Sequence, residues 1–213
     1  MDDRLLVQGT DEWKMARVGS LGASRIHEAV AKTKSGWSAS RANLMALLIT
    51  ERLTGLPQDT YQNAAMLHGI ETEGQARIAY EFRTNADVRS VGVIRHPAIA
   101  GTHASPDGLV GDVGLVEIKC PTSSTHIETL LGQSIPGKYE AQMQWQMACT
   151  GAKWCDFVSF DPRLPEKMRL FVSRLQRDDK RIKELETEIV AFLGELDAKV
   201  KALTDIYEKD KAA

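Results

Sequence analysis

Two carboxylates and an ammonium fall within the stretch 104–121, which reads Ala-Ser-Pro-Asp-Gly-Leu-Val-Gly-Asp-Val-Gly-Leu-Val-Glu-Ile-Lys-Cys-Pro. Ser105, Pro106, Asp107 and Gly108 have the composition of a tight turn, because proline presets one dihedral and glycine tolerates the other. Leu109 to Gly114 read as a second, glycine-rich reversal, and Leu115 to Cys120 as a short strand with β-branched Val116 and Ile118. Alternation places Leu115, Glu117 and Lys119 on one face of that strand, with Val116, Ile118 and Cys120 on the other. An ionised Glu on an otherwise apolar strand is costly unless something offsets its desolvation, and a divalent cation would do so. Asp107 and Glu117, on hairpin neighbours, could both reach a hard cation such as Mg2+, with Lys119 beside the attacking water. Hydrolysis of a phosphodiester suits that trio: the cation polarises the phosphoryl oxygen and acidifies water, and the lysine orients the nucleophile or steadies developing charge. A surface turn followed by a strand with a salt-bridged Glu and Lys accounts for the same short pattern.

The flanking elements supply further polar groups. Gln8 to Val18 predicts a short helix, and the loop after it ends at Ser24, a candidate N-cap for a helix from Arg25 to Ala31. Such a helix start beside Arg17 would make an anion pocket, the guanidinium gripping phosphate through two parallel hydrogen bonds; a capped helix with a surface arginine is the plainer alternative. The stretch 31–37 reads as a loop, with Lys32, Lys34 and Trp37 able to track a nucleic-acid backbone or simply to be solvated. Ser38 opens a helix to about Thr54, with Leu44, Leu47, Leu48 and Leu53 as its core stripe and Gly55 as its stop. A second helix, from about Asn63 to Phe82, has Met66, Leu67, Ile70, Ile78 and Phe82 as apolar positions. It sets Glu73, Arg77 and Tyr80 on one face, so Glu73 is either a third acid for the site or a surface partner of Arg77.

Val88 to Arg95 predicts one strand and Ile99 to Ala104 the next. Pro121 to Gly137 reads as a long connection with a helical turn at Ile127 to Leu131, carrying His126 as either a phosphate donor or a solvated histidine. Pro136 to Thr150 predicts a helix that puts Gln142 and Gln146 one turn apart on a common face. Strands at Trp154 to Phe160 and Met168 to Arg174 bracket the turn Asp161-Pro162-Arg163. Lys180 to Tyr207 is a long helix with an apolar stripe at Ile182, Leu185, Ile189, Phe192 or Leu193, Leu196, Val200, Leu203 and Tyr207, which packs on its own domain or on another subunit. Helices, a strand cluster with one crossover helix, and two further strands predict an α/β sheet with helices around it.

With 213 residues, 43% hydrophobic and 26% charged, the chain suits one substantial domain over 1–213 with a core that needs no disulfides. A formal net charge of -2 excludes a polycation that coats nucleic acid, so any DNA contact must come from local cations. The cysteines, Cys120, Cys149 and Cys155, are odd in number and lack metal-site spacing, which predicts reduced core thiols. The acidic start Met1-Asp2-Asp3 and the absence of a long apolar run predict neither a secretory leader nor a membrane span, and hence a cytoplasmic protein.

Together these segments resemble the λ exonuclease and YqaJ-type viral recombinase family of the PD-(D/E)xK nuclease superfamily. The resemblance runs from Trp13 to about Arg174. It rests on Trp13 through Arg17-Val18-Gly19 to Ala23-Ser24, His68-Gly69 with Glu73 and Ala76-Arg77, and Ser105-Pro106-Asp107-Gly108. Glu117-Ile118-Lys119-Cys120-Pro121, Tyr139 with Ala141-Gln142 and Gln144, and Asp161-Pro162-Arg163 complete it. It implies a PD-(D/E)xK core, a central mixed sheet flanked by helices, with the C-terminal helix at about 176–211 packed on it or used in assembly. It also implies a processive 5'-to-3' exonuclease of linear duplex DNA that uses Mg2+, or Mn2+ in its place, with two ions per site. The enzyme would be a homotrimeric ring, phage or prophage encoded and acting in a bacterial host, that passes single strands to an annealing protein. By the same resemblance Asp107, Glu117, the Ile118 backbone carbonyl and Glu73 hold the metals, Lys119 works on the attacking water and Gln142 supports the site. Arg17, Ser24 and Ser105 would form the 5'-phosphate pocket. One position departs from the pattern: Thr125, followed by His126, stands where the λ enzyme has an arginine, leaving that pocket one cation short or served by His126 or Lys34. A structure-specific or restriction-type endonuclease of the same superfamily is the alternative enzyme, and a non-catalytic DNA-end binding module the alternative outside enzymes.

Overall fold

The structure is a computed structural model that describes residues 2–34, 36–58 and 64–209. Thr10 caps α1 (Asp11–Arg17) by accepting from the Trp13 amide, and β1 (Leu21–Gly22) follows. The chain next makes one 3-10 turn at Ala23–Arg25 and a single helical turn, α2 (Ile26–Ala29). Ser24 therefore lies inside a turn and caps no helix, so the expected helix of Arg25 to Ala31 is shorter and has no anion site at its start. The stretch 31–37 is a hairpin rather than a loop, β2 (Lys32–Thr33) pairing antiparallel with β3 (Gly36–Trp37); Ser35 lies outside the described residues.

Ser38 caps α3 (Ala39–Thr54) through the Arg41 amide, and Gly55 ends it at φ +67°, a conformation that favours glycine. Leu44, Met45 and Leu48 are buried, whereas Leu53 stays exposed. The predicted start of the next helix at Asn63, and the Met66 side chain, lie outside the described residues; the helix observed is α4 (Ala64–Thr84). Its buried side is not the predicted one: Leu67, Ile70, Ile78 and Phe82 face solvent, while Thr72, Ala76 and Tyr80 turn inward.

The predicted strand Val88 to Arg95 is two strands in different sheets, β4 (Val88–Arg89) and β5 (Ile94–Arg95). The N-terminal segment causes the break, since the Gly92 and Val93 amides donate to the Arg4 and Asp3 carbonyls. A Cβ at Gly92 would run into the Asp3 and Leu6 backbone. There follow β6 (Thr102–Ala104), β7 (Gly108–Val110) and β8 (Gly114–Lys119). The connection after Pro121 is mostly α5 (Ser123–Gly132), much longer than the predicted helical turn. After it come α6 (Glu140–Thr150), β9 (Trp154–Phe160), β10 (Leu170–Gln176) and α7 (Asp179–Lys209); the predicted end of the last helix, near 211, lies outside the described residues.

A five-stranded mixed sheet runs in the order β10-β9-β8-β7-β4, with β1-β6-β5 as a smaller sheet. Only β8 and β9 pair parallel in the larger sheet, joined by the α5–α6 crossover. One face of β8 packs Val116, Ile118 and Cys120 against Ala76 and Tyr80 of α4. On the other, Leu115 lies with Met143 and Met147 of α6. The alternation read from the sequence is thus realised with a helix on each face. Trp145 of α6 points away from the sheet into a third cluster with α3 and α7, where Leu185, Ile189, Phe192 and Leu196 are fully buried. At roughly 2 kcal/mol for each such side chain, this stripe holds α7 on the body of the protein. Leu203 and Tyr207, predicted to continue the stripe, are exposed. Among the described residues no helix is long and apolar enough to cross a membrane.

Candidate active site

The β7–β8 hairpin sets the acids. Its register pairs Gly108 with Val116, so one step further places Asp107 across from Glu117, at the open end of the hairpin. Gln8 fixes the preceding turn, its side-chain amide donating to the Pro106 carbonyl at 2.9 Å and the Val91 carbonyl at 2.9 Å. Asp107 Oδ2 accepts the Ile118 amide at 2.6 Å.

Glu117 is 1% exposed and takes three side-chain donors. Lys119 Nζ and Gln142 Nε2, the latter at 2.6 Å, share Oε1; Gln146 Nε2 reaches Oε2 at 2.5 Å. The one-turn spacing of the glutamines on α6 aims both at one carboxylate. Burial, reinforced by the charge of Glu117, holds the Asp107 carboxyl well above its usual range, with Lys119 opposing. Burial alone would lower the Lys119 ammonium, but Glu117 and Asp107 outweigh it and keep it protonated. Glu73, on the inward edge of α4, lies at the rim, where desolvation raises its carboxyl, Lys119 opposes and Glu117 adds.

Two facing carboxylates in a desolvated cleft, with one ammonium between them, fit a hard divalent cation. Among the described residues no cluster of three or more His, Cys, Asp or Glu side chains is arranged to hold a metal.

A cavity of about 950 Å3 opens beside α1, lined by Trp13, Arg17, Ser24, His103, Glu51 and Gln58 among others. The Arg17 guanidinium stacks on Trp13 at 3.8 Å, and its Nε donates to His103 Nε2 at 3.1 Å. That bond assigns the proton of neutral His103 to Nδ1, 2.8 Å from Ser20 Oγ. Burial, aided by Arg17 and Arg95, lowers the His103 imidazole to about 3, so it stays neutral. Burial also lowers Arg17, with Glu51 acting against it, and no ion pair neutralises the guanidinium among the described residues. The Trp13 Nε1 and Ser105 Oγ atoms are buried without a hydrogen-bond partner. Of these two, the Trp13 donor lies in the same cavity as the Arg17 guanidinium, and the two together fit an anion.

The structure thus gathers Asp107, Glu117, Lys119, Glu73 and Gln142 in one place, and Arg17 with Ser24 in another. Ser105 does not line the Arg17 cavity. Lys34 lies exposed in the β2–β3 turn. Thr125 accepts from the Thr122 hydroxyl at 3.2 Å near the start of α5. His126 is not the solvated or phosphate-donating histidine expected: it is fully buried, Nδ1 with Ser159 Oγ at 2.7 Å and Nε2 with the Met168 carbonyl at 2.8 Å. The sequence reading missed His103, since an isolated histidine in an apolar segment carries no spacing signal. It saw Gln146 only as a neighbour of Gln142.

The mixed sheet with Pro106-Asp107 and Glu117-Ile118-Lys119 at its centre defines a PD-(D/E)xK core. The profile of the YqaJ-like viral recombinase domain matches residues 12–153, and the chain belongs to that family. Among solved structures, an alkaline exonuclease (LHK-Exo) from Laribacter hongkongensis is 51% identical with a TM-score of 0.88, covering 94% of this chain and 99% of that one. LHK-Exo in complex with dAMP superposes with a TM-score of 0.89 at the same identity and coverage. A phage related exonuclease from Haemophilus somnus 129PT, at 15% identity and a TM-score of 0.67 over 86% of this chain and 96% of that one, shares the fold. An uncharacterized protein, R354, of Acanthamoeba polyphaga mimivirus is 29% identical over 164 residues; the match takes in 71% of this chain and spans only 28% of the viral protein's length.

Proposed function

We propose that this chain is a Mg2+-dependent exonuclease that degrades one strand of linear duplex DNA from its 5' end, processively, within phage-type single-strand annealing recombination. The observation that carries the reading is half-buried Asp107 opposite buried Glu117, which pairs with Lys119 and is held by the two glutamines of α6. The 51% identity to an alkaline exonuclease supports it.

In this reading Asp107, Glu117, the Ile118 carbonyl and Glu73 hold one or two Mg2+ ions, for which Mn2+ can substitute. When bound, the metal supplies Lewis-acid stabilisation of the phosphoryl oxygens and lowers the pKa of water. Lys119, kept protonated, orients the attacking water and balances charge developing on the phosphorane oxygens. Gln142 and Gln146 fix the orientation of the Glu117 carboxylate while Lys119 pairs with its Oε1. Exclusion of bulk water from the hairpin's open end strengthens each of these interactions. Arg17, backed by His103 and Trp13, takes the 5'-terminal phosphate, with Ser24 as a hydroxyl donor and Lys34 tracking the backbone. With a net charge of -2, a homotrimeric ring keeps such an enzyme on DNA by enclosure rather than by a basic surface. An annealing protein would receive the remaining strand.

The test incubates linear and covalently closed circular duplex with Mg2+. Loss of one strand from the linear form, with 5' label released first, and survival of the circle is the expected result. Cutting of the circle would instead establish an endonuclease, and binding of ends without any cleavage a non-catalytic module.

A further inference from the structure

At the carboxyl end of the parallel pair, β8 and β9 finish side by side: Lys119 pairs with Ser159, and two residues on lie Pro121 and Asp161. Asp161 is fully buried. Its carboxylate accepts the Arg163 amide at 3.0 Å and the Arg163 guanidinium at 2.7 and 3.1 Å, and takes the Ser123 hydroxyl at the start of α5. The same guanidinium reaches the Pro121 carbonyl at 3.2 Å. The Asp161–Arg163 pair thus ties together three segments that emerge at the site: Arg163 reaches the end of β8, and Asp161, at the end of β9, takes the start of α5.

The clasp leaves charge facing outward. Arg163 is 48% exposed, and among the described residues its Nη1 has no partner. The surroundings are acidic, for Asp107, Glu117 and Asp161 all lie at this end of β7, β8 and β9. Lys119 is engaged with Glu117. The start of α5, Thr122 to Thr125, brings no charge. A polyanion that approaches this end of the sheet meets several carboxylates, and a rigidly held outward guanidinium is the group suited to receive it.

We propose that Arg163, clasped to Asp161, contacts a backbone phosphate of the DNA at the mouth of the site. This rests on the nuclease reading and adds a substrate-positioning residue to it. Arg163 approaches no reacting atom; it anchors the strand while Lys119 and the acids act.

The test compares wild type and Arg163→Gln for cleavage of linear duplex over a range of salt, and for duplex binding by the metal-free protein. The expected result is a KM and a metal-free Kd each raised about tenfold with kcat within twofold, and a log–log salt slope smaller by about one phosphate contact. Arg163→Lys keeps the charge and loses the fork, so it should retain the slope and raise KM by a few-fold. It also carries the test should the glutamine variant fail to fold: an unchanged slope with raised KM supports the contact, and an unchanged KM refutes it. Unchanged KM and slope in the glutamine variant, or a fall in kcat alone, would overturn the assignment while leaving an active wild type, and the nuclease reading, intact. If wild type cleaves nothing, that reading falls, and an unchanged metal-free Kd in the variant would remove Arg163 as well.

Discussion

Replacing Gln146 by leucine separates the two glutamines that hold Glu117. Gln146 Nε2 is the side-chain donor to Oε2, at 2.5 Å, whereas Oε1 has both Gln142 and Lys119. Gln146→Leu therefore strips one carboxylate oxygen, while Gln142→Leu leaves the other with its ammonium. An unsatisfied buried acceptor costs about 1–3 kcal/mol. The metal-free Gln146→Leu protein should accordingly melt lower, by about 2–4 °C for each kcal/mol in a chain of this size. Because the carboxylate loses its orientation, the Mg2+ midpoint for cleavage should rise roughly 10- to 100-fold, as is typical when a group supporting a metal ligand is removed. For Gln142→Leu the rise should be only a few-fold. Initial rates titrated with Mg2+, beside thermal melts in chelator, read both quantities. Equal midpoints for the two variants, or a larger shift for Gln142→Leu, would refute the division of labour between Oε1 and Oε2.

Lys119→Ala should lower turnover by roughly three orders of magnitude, a loss of about 4 kcal/mol of transition-state stabilisation, while duplex binding changes little; single-turnover rates and a binding isotherm check this, and unchanged turnover contradicts the role of Lys119. His103 titrates at about 3 when folded, below the ordinary 6.5, so the unfolded chain binds the extra proton and stability is lost as pH falls from 6.5 toward 3. Between pH 7 and pH 5 the metal-free wild type should lose about 2 kcal/mol more than His103→Gln, measured by urea unfolding. A Cβ at Gly114 would strike the Trp154 indole, so Gly114→Ala should cost about 2–3 kcal/mol from overpacking, seen as a lower melting midpoint.

Where local periodicity decides orientation, the sequence was a good guide. β8 sorted its faces as alternation required, because a strand's side chains have only two directions, and α6 brought Gln142 and Gln146 to one carboxylate for the same kind of reason. The inverted face of α4 shows where that logic stops. Hydrophobicity favoured Leu67, Ile70, Ile78 and Phe82, but the sheet accepts a helix only where small Ala76 allows close approach and where the Tyr80 hydroxyl reaches buried Asp156, at 2.8 Å. Contacts distant in sequence account for the other differences. Gly92 breaks a predicted strand because residues 3–6 dock against it, and His126 is buried because Ser159 and Met168 await it across the crossover. The resemblance was carried by short blocks around the acids, and the fold assembled them; the partners that tune them, His103 and the Asp161–Arg163 clasp, depend on strand ends meeting in space.

The parallel pairing of β8 with β9 also orders events as the chain leaves the ribosome. The β7–β8 hairpin can close from nearby residues, but it then holds Asp107 against Glu117 with only Lys119 to moderate the repulsion. Relief comes from Gln142 and Gln146, whose helix shares the cluster of Met143 and Met147 with Cys155 and Phe157 of β9, the strand that threads alongside β8. A nascent fragment ending before Phe160 thus carries both acids without the scaffold that aims them, so cutting power arises after the crossover is complete and not while the polypeptide is still being extended.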